Sequence, residues 1–254
     1  HRRIDPSVFR TATILVAEGN RSLRRALRDV LLGMGFPVIL LLLLSAIQAN
    51  IPVTMFEIGQ LTPGIAVFGL SFISLFAGLL IAKDRSTSFL LRLFSSPLTS
   101  SNYILGYTVP LIPMAIGQIL VCLITAVCLG LDITVHVLTT ILVLLPAALL
   151  FIGIGLLCGS LLNDKQVGGV CGALLTNLSA WLSGTWFDVR LVGGWFEKLA
   201  YALPFARSVE AGRAALAGDY AAIFPHLWIV IAYAAVVLIA AILVFRRRMN
   251  GDKT

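Results

Sequence analysis

Charge is what this sequence has least of. Only 12% of its 254 residues are Asp, Glu, Lys or Arg, against roughly a quarter in a soluble domain. With 59% hydrophobic residues and a mean hydropathy of +0.97, the chain belongs in a membrane. Lysine is scarcest among the basic residues. Lys83, Lys165, Lys198 and Lys253 follow Ala, Asp, Glu and Asp, so no GxxxxGK[ST] loop can cradle a phosphate, and the chain does not bind ATP by that route. His1, His136 and His226 form no HExxH and have no carboxylate partner at helical spacing, and GxSxG is missing. No nucleophile, base and oxyanion site can be assembled, so catalysis within the chain is not expected, and neither is a cofactor. Cys122, Cys128, Cys158 and Cys171 lie in apolar segments without CxxC spacing. They are expected to be packing residues rather than a disulfide framework or a metal site. His1, not Met, stands first with no signal-peptide pattern after it, and is expected to be a processing edge.

What the chain does have is long apolar runs. A helix needs about 20 apolar residues to cross roughly 30 Å of hydrocarbon. Six segments qualify, at approximately 29–48, 63–82, 103–130, 137–160, 168–184 and 227–245. The fifth, around "GGVCGALLTNLSAWLSG", is short, glycine-rich and carries Asn177, which neighbouring helices can tolerate. The fold class is therefore all-α integral membrane, as one domain over 1–254.

The net charge of +7 would suggest nucleic acid in a soluble protein, but here it sits between and outside the apolar runs, so no nucleic-acid partner is expected. Six spans place both termini on one side. Arg2, Arg3, Arg10, Arg21, Arg24, Arg25, Arg28, Lys83, Arg85, Arg92, Lys165, Arg246, Arg247, Arg248 and Lys253 share that side, fifteen of the 19 basic residues. The positive-inside rule makes it the cytoplasm of a multi-pass cell-membrane protein. Arg190, Lys198, Arg207 and Arg213 fall in the long segment 185–226, which translocates regardless of charge.

Two stretches are too polar to span. Residues 7–28 mix apolar side chains with arginines, as in a helix lying in the cytoplasmic headgroup layer, an anchor or a brace for another subunit. Segment 185–226 is rich in rings that suit the membrane interface, among them Trp186, Trp195, Phe196 and Tyr201. It is expected to form one or two short helices dipping into the outer leaflet, broken at Gly193–Gly194 and before Pro204.

Within the spans the polar residues are hydroxyls and amides: Ser71, Ser74, Gln118, Thr125, Thr139, Thr140, Asn177 and Ser179. An ion-coupled carrier places Asp, Glu, His or Lys at that depth, so these side chains are expected to make packing contacts. Gly155 to Gly159 and Gly168 to Gly172 are GxxxG patterns, expected first as close helix contacts and second as a dimer seam. A membrane pathway without its own energy source draws on another subunit.

The segment "AKDRSTSFLLRLFSSPLTSSNYILGY", residues 82–107, offers a place for one. Phe89, Leu90, Leu93 and Phe94 share one side of a helix that Arg85 and Arg92 do not. Pro97 ends that helix after Ser95 and Ser96, and Thr99 or Ser100 can cap the next. Two uses fit: a surface helix resting on the membrane, or a knob seated in the groove of a soluble partner.

At these residues the chain resembles the ABC-2 type permeases. Their pattern has a Pro-Gly opening span two, here Pro63–Gly64, and a charged triplet closing it, here Lys83–Asp84–Arg85. An "xxLxxSPxxxxxYxxG" run follows, here Leu93, Ser96–Pro97, Tyr103 and Gly106, and a late "LPxxxxxxxxRxxxxG", here Leu203–Pro204, Arg213 and Gly218. The triplet departs from the family in lacking the glutamate-glycine-threonine that often follows it. The resemblance implies the transmembrane subunit of an exporter, a homodimer or a dimer with a paralogue. A separate ATP-binding cassette subunit would hold ATP and Mg. It implies a coupling helix contacting that ATPase through Arg85, Phe89, Leu90, Leu93, Phe94, Ser96 and Pro97. It also implies a pathway lined by Phe68, Phe72, Phe76, Asn177 and Trp181, and an external gate of re-entrant helices with Trp195, Phe196, Pro204 and Phe205. The substrate would be lipophilic or amphiphilic: a drug, an antibiotic, a lipid, or a glycolipid or polysaccharide. An ion-coupled carrier, or a membrane scaffold or immunity protein, is the alternative; the carrier would need buried ionisable groups.

Overall fold

The computed structural model describes residues 33–51, 57–86 and 100–251, and every regular element among them is helical. Helix α1 covers Gly33–Gln48, α2 Ile58–Ser86, α3 Ser100–Cys128 and α4 Val135–Leu161. Next come α5, Asp164–Val167, a π-helical stretch, Gly168–Leu175, and α6, Thr176–Leu182. Gly168 and Thr176 both have α dihedrals, so these three pieces run on as one rod. Three shorter helices, α7 (Val189–Val192), α8 (Gly194–Ala202) and α9 (Pro204–Ala217), lead to α10, Tyr220–Gly251.

Four helices, α2, α3, α4 and α10, are long and apolar enough to cross a membrane, and they overlay the second, third, fourth and sixth expected spans. Helix α10 starts earlier than expected, at Tyr220 rather than 227. The first expected span is represented by the shorter α1, and the fifth by the rod from Asp164 to Leu182. The amphipathic stretch 7–28 lies outside the described residues.

Contacts at the helix ends set the topology. The upper end, where α2 starts, also holds the end of α6 and the start of α4: Arg213 reaches the carbonyls of Gln60 and Gly184, and the His136 ring lies against Gly218 and Tyr220. The lower end, where α2 finishes, holds the end of α4, the start of α3 and the last turns of α10. Helix α1 runs antiparallel to α2, with Gly33 beside Phe72 and Pro37 beside Gly69. Taken in chain order, α1, α2, α3, α4, the rod and α10 therefore alternate in direction.

Helix α2 is central: 72% of its apolar window is buried, against 17% for α10. It packs chiefly on α4, and glycines set how closely. A Cβ on Gly155 would strike the carbonyl oxygen of Ser74, and one on Gly159 that of Gly78. The first GxxxG is thus the close helix contact that was expected, the device by which backbones approach in lipid. The second behaves differently. The rod packs on α2 through Val167 and Cys171, with Gly172 touching Leu75 while Gly168 faces open space.

Most span hydroxyls are satisfied within their own helix rather than between helices. Ser71 donates to Phe68 O at 2.7 Å, Thr125 to Val121 O at 2.8 Å, Thr139 to Val135 O at 3.1 Å and Thr140 to His136 O at 2.7 Å. Ser74 and Ser179 are buried with no partner for Oγ among the described residues. Cys122 and Cys171 are buried as expected, but Cys128, at the last residue of α3, is exposed.

Local signals place the breaks. Asn163 and Gln166 form a reciprocal capping box that restarts the chain as α5. Gly193, at φ 65°, separates α7 from α8; Pro204 sits at the first position of α9; Gly218, in the left-handed region, ends it. The breaks at Gly193–Gly194 and before Pro204 fall where the sequence puts them.

Gly155→Leu and Gly159→Leu are expected to destabilise the chain by about 1–3 kcal/mol or more, since either forces α4 off α2. Gly168→Ala should be neutral. Thermal unfolding of the detergent-solubilised protein reads the difference, and equal melting of all three variants would contradict the close contact.

Candidate functional site

The lower end is built around the charged last turn of α2. Cations suit a helix C-terminus, where carbonyls lack partners, but Arg85 serves the neighbouring helix as well as its own. Its Nη1 donates to Gly159 O at 2.7 Å and Leu162 O at 3.2 Å, capping α4. Gly159 is also the residue without a side chain at the α2 contact, so the reach is short. Asp84 accepts the hydroxyl of Tyr107, whose oxygen is 2.8 Å from that of Tyr103. The Tyr103 ring stacks on Phe245 of α10 at 4.2 Å and 11°. One turn of α2 thus ties together α3, α4 and α10. The tied residues flank segment 87–99; Phe89, Leu90, Leu93, Phe94, Ser96 and Pro97 lie outside the described residues. Tyr107 was not singled out from sequence, although its i, i+4 spacing from Tyr103 was the available signal.

The upper end gathers the other motif residues. Arg213 donates from Nε to Gln60 O at 3.0 Å, from Nη2 to Gly184 O at 2.9 Å, and from Nη1 to Glu210 at 3.1 Å. Gln60 and Arg213 are 153 residues apart in sequence. A Cβ on Gly64 would come within 2.8 Å of the Thr185 side chain, and one on Gly212 within 2.9 Å of Pro63. Pro63–Gly64 and the Leu203–Gly218 pattern therefore close on each other around the turn after α6.

Between the two ends runs an aromatic track. Phe72, Phe68 and Phe36 pack edge-on or tilted at 5.6–6.3 Å, and Phe68 meets Trp186 at 5.6 Å. The adjacent Phe187 meets Trp181 at 6.1 Å and Phe196 at 6.2 Å. Phe76 lines a small cleft of about 30 Å³ with Phe72, Met34, Met114 and the buried Gln118. Phe68 is buried, whereas Trp181 and Asn177 lie on the exposed face of α6, Asn177 donating to Ala173 O at 2.8 Å. The five expected lining residues are thus two groups that meet through Trp186–Phe187. The four expected gate residues do not converge. Trp195 is 75% exposed and Phe196 half-buried, while Pro204 is buried and Phe205 turns into the core against Phe151 at 5.8 Å. Helix α9 is amphipathic, and its apolar side faces the bundle.

Four membrane-length helices, tied at both ends by residues of one sequence pattern, define a multi-pass membrane protein with a braced helical bundle. The family model described as ABC-2 type transporter matches residues 14–217, from before α1 to the last residue of α9. The chain belongs to the ABC-2 type transporter family. Members of that family are transmembrane components of ABC transporters, generally non-catalytic, and membership implies partnering with an ATP-binding subunit. No curated protein and no solved structure matches it.

Tyr107→Phe should cost about 1–3 kcal/mol, because it leaves Asp84 without that donor. Arg213→Lys should destabilise as much as Arg213→Ala, since an ammonium lacks the fork that reaches three acceptors. Thermal unfolding checks both, and full rescue by lysine would contradict the geometry.

Proposed function

We propose that the chain is the permease of an ATP-driven exporter, six-spanning with both termini in the cytoplasm, acting as a dimer with a second copy or a paralogue. The observation that carries this reading is the bracing on both sides of segment 87–99. A partner that grips the segment acts on α2 through Asp84 and Arg85, and on α3 through Tyr103 and Tyr107. From there the load passes to α4 and α10 by direct hydrogen bonds and a stacked ring. ATP binding to the partner would then bias the whole bundle, because a ligand shifts an equilibrium only through its differential affinity for the two states.

Segment 87–99 serves as the coupling helix, with Phe89, Leu90, Leu93 and Phe94 in a groove of the ATPase and Pro97 as its stop. Residues 7–28 brace the same subunit from the headgroup layer. The pathway runs along the aromatic track and the exposed face of α6, at the seam with the second permease, and α7–α9 close its outer end. A track of rings and one amide, without charge, favours a lipophilic or amphiphilic substrate.

The test is co-expression with an ATP-binding subunit encoded beside it. The expected result is a stable complex whose ATPase activity depends on the permease in a membrane. Phe89→Asp with Phe94→Asp should abolish the complex while leaving the permease folded; an intact complex with normal ATPase would overturn the coupling assignment.

A further inference from the structure

At the upper end α7 and α9 meet on Tyr201 of α8, and α10 joins them through Arg207. Arg190 of α7 donates from Nε to the Tyr201 hydroxyl at 3.2 Å, its guanidinium carbon 5.9 Å from the ring centroid. Arg207 of α9 lies over the same ring at 5.2 Å and donates from Nε to Tyr201 O at 3.0 Å. Its Nη1 is 3.2 Å from Nδ1 of His226 on α10. A guanidinium is a donor only, so that imidazole nitrogen is the acceptor.

The carboxylates near this pair attract Arg190 through space but have their hydrogen bonds elsewhere. Glu210 is bonded to Arg213 at 3.1 Å, and Asp188 accepts the backbone N–H of Arg190 at 2.9 Å as the cap of α7. Among the described residues neither guanidinium is bonded to a carboxylate. Among the described residues, no hydrogen-bond acceptor meets the terminal nitrogens of Arg190 or the second terminal nitrogen of Arg207. Two like charges held on one ring, with donors to spare, form a cradle for an anion. The planar fork matches a phosphate with two parallel hydrogen bonds.

The surroundings select the source of that phosphate. Leu191 and Val192, which follow Arg190, are 75% and 56% exposed, and Trp195 on the next turn is 75% exposed. A soluble anion gains nothing from such a rim, whereas a lipid places its glycerol and acyl carbons there and its headgroup on the arginines. We infer that Arg190 and Arg207, ordered by Tyr201, bind the headgroup phosphate of an anionic membrane phospholipid at the upper end of the bundle. This site stands apart from the export reading, since it needs only a membrane and the geometry of α7–α10.

Native mass spectrometry of the full chain, released from detergent with phosphatidylglycerol or phosphatidylcholine added, measures the site directly. Wild type should retain phosphatidylglycerol preferentially. Arg190→Gln should weaken that retention about tenfold, the worth of a charge-assisted hydrogen bond, and Arg190→Gln with Arg207→Gln should weaken it further. Lys198→Gln, an exposed cation of the same segment outside the cluster, should retain wild-type binding, and millimolar inorganic phosphate should displace nothing. Arg190 is exposed, so its single variant keeps the fold and carries the test even where the double variant does not. Unchanged retention in Arg190→Gln, or an equal loss in Lys198→Gln, would overturn the site. Displacement by inorganic phosphate would overturn the lipid assignment.

Discussion

The backbones of α2 and α4 touch, and the rest of the bundle is arranged around that contact. Gly155 and Gly159 present bare backbone to the carbonyls of Ser74 and Gly78, so the two helices approach closer than any side chain would allow. In lipid no hydrophobic force drives helices together, and close packing of small residues takes its place. That approach buries α2 on several sides at once: α4 on one, α1 and α3 on another, the rod from Asp164 to Leu182 on a third. It also brings the end of α4 within reach of Arg85.

The two polar joints at the ends of α2 follow from this central position. At the lower end Asp84 and Arg85 draw on α3 and α4, and Tyr103 passes the connection to α10. At the upper end Arg213 satisfies carbonyls of α2 and of the turn after α6 while pairing with Glu210. Buried or half-buried guanidinium groups are costly without partners, and these have several each. The family's motif residues are therefore bracing residues of the permease itself, and contact with a partner would act on a frame that is already tied.

Much of this was legible in the residues. Hydropathy located the four long helices, since a run of about 20 apolar residues has few other stable uses. Gly193 and Pro204 announced breaks that depend only on local dihedral preference. Gly155–Gly159 announced a close helix contact first and a dimer seam second, and the first is what the fold shows. The rest depended on long-range geometry. The π-helical stretch is not written in "GGVCGALL"; at its end the Thr176 hydroxyl donates to Cys171 O five residues back. Tyr107 meets Asp84 across segment 87–99, a pairing no local pattern encodes. Phe205 was expected at an external gate, but its place on the apolar side of α9 turns it to Phe151. Asn177 and Trp181 were grouped with Phe68 and Phe72, and among the described residues the Trp186–Phe187 step joins the two groups.

With their backbones in contact, α2 and α4 form one rigid pair on which any driving motion acts as a unit. Electron-spin distance measurement between labels at Gln60 and Leu142, both exposed, tests it in the complete transporter after its native cysteines are replaced. A rigid pair gives one narrow distance that stays the same without nucleotide, with ATP trapped and after hydrolysis. A nucleotide-dependent change of about 5 Å, a full helical turn of sliding, would contradict it.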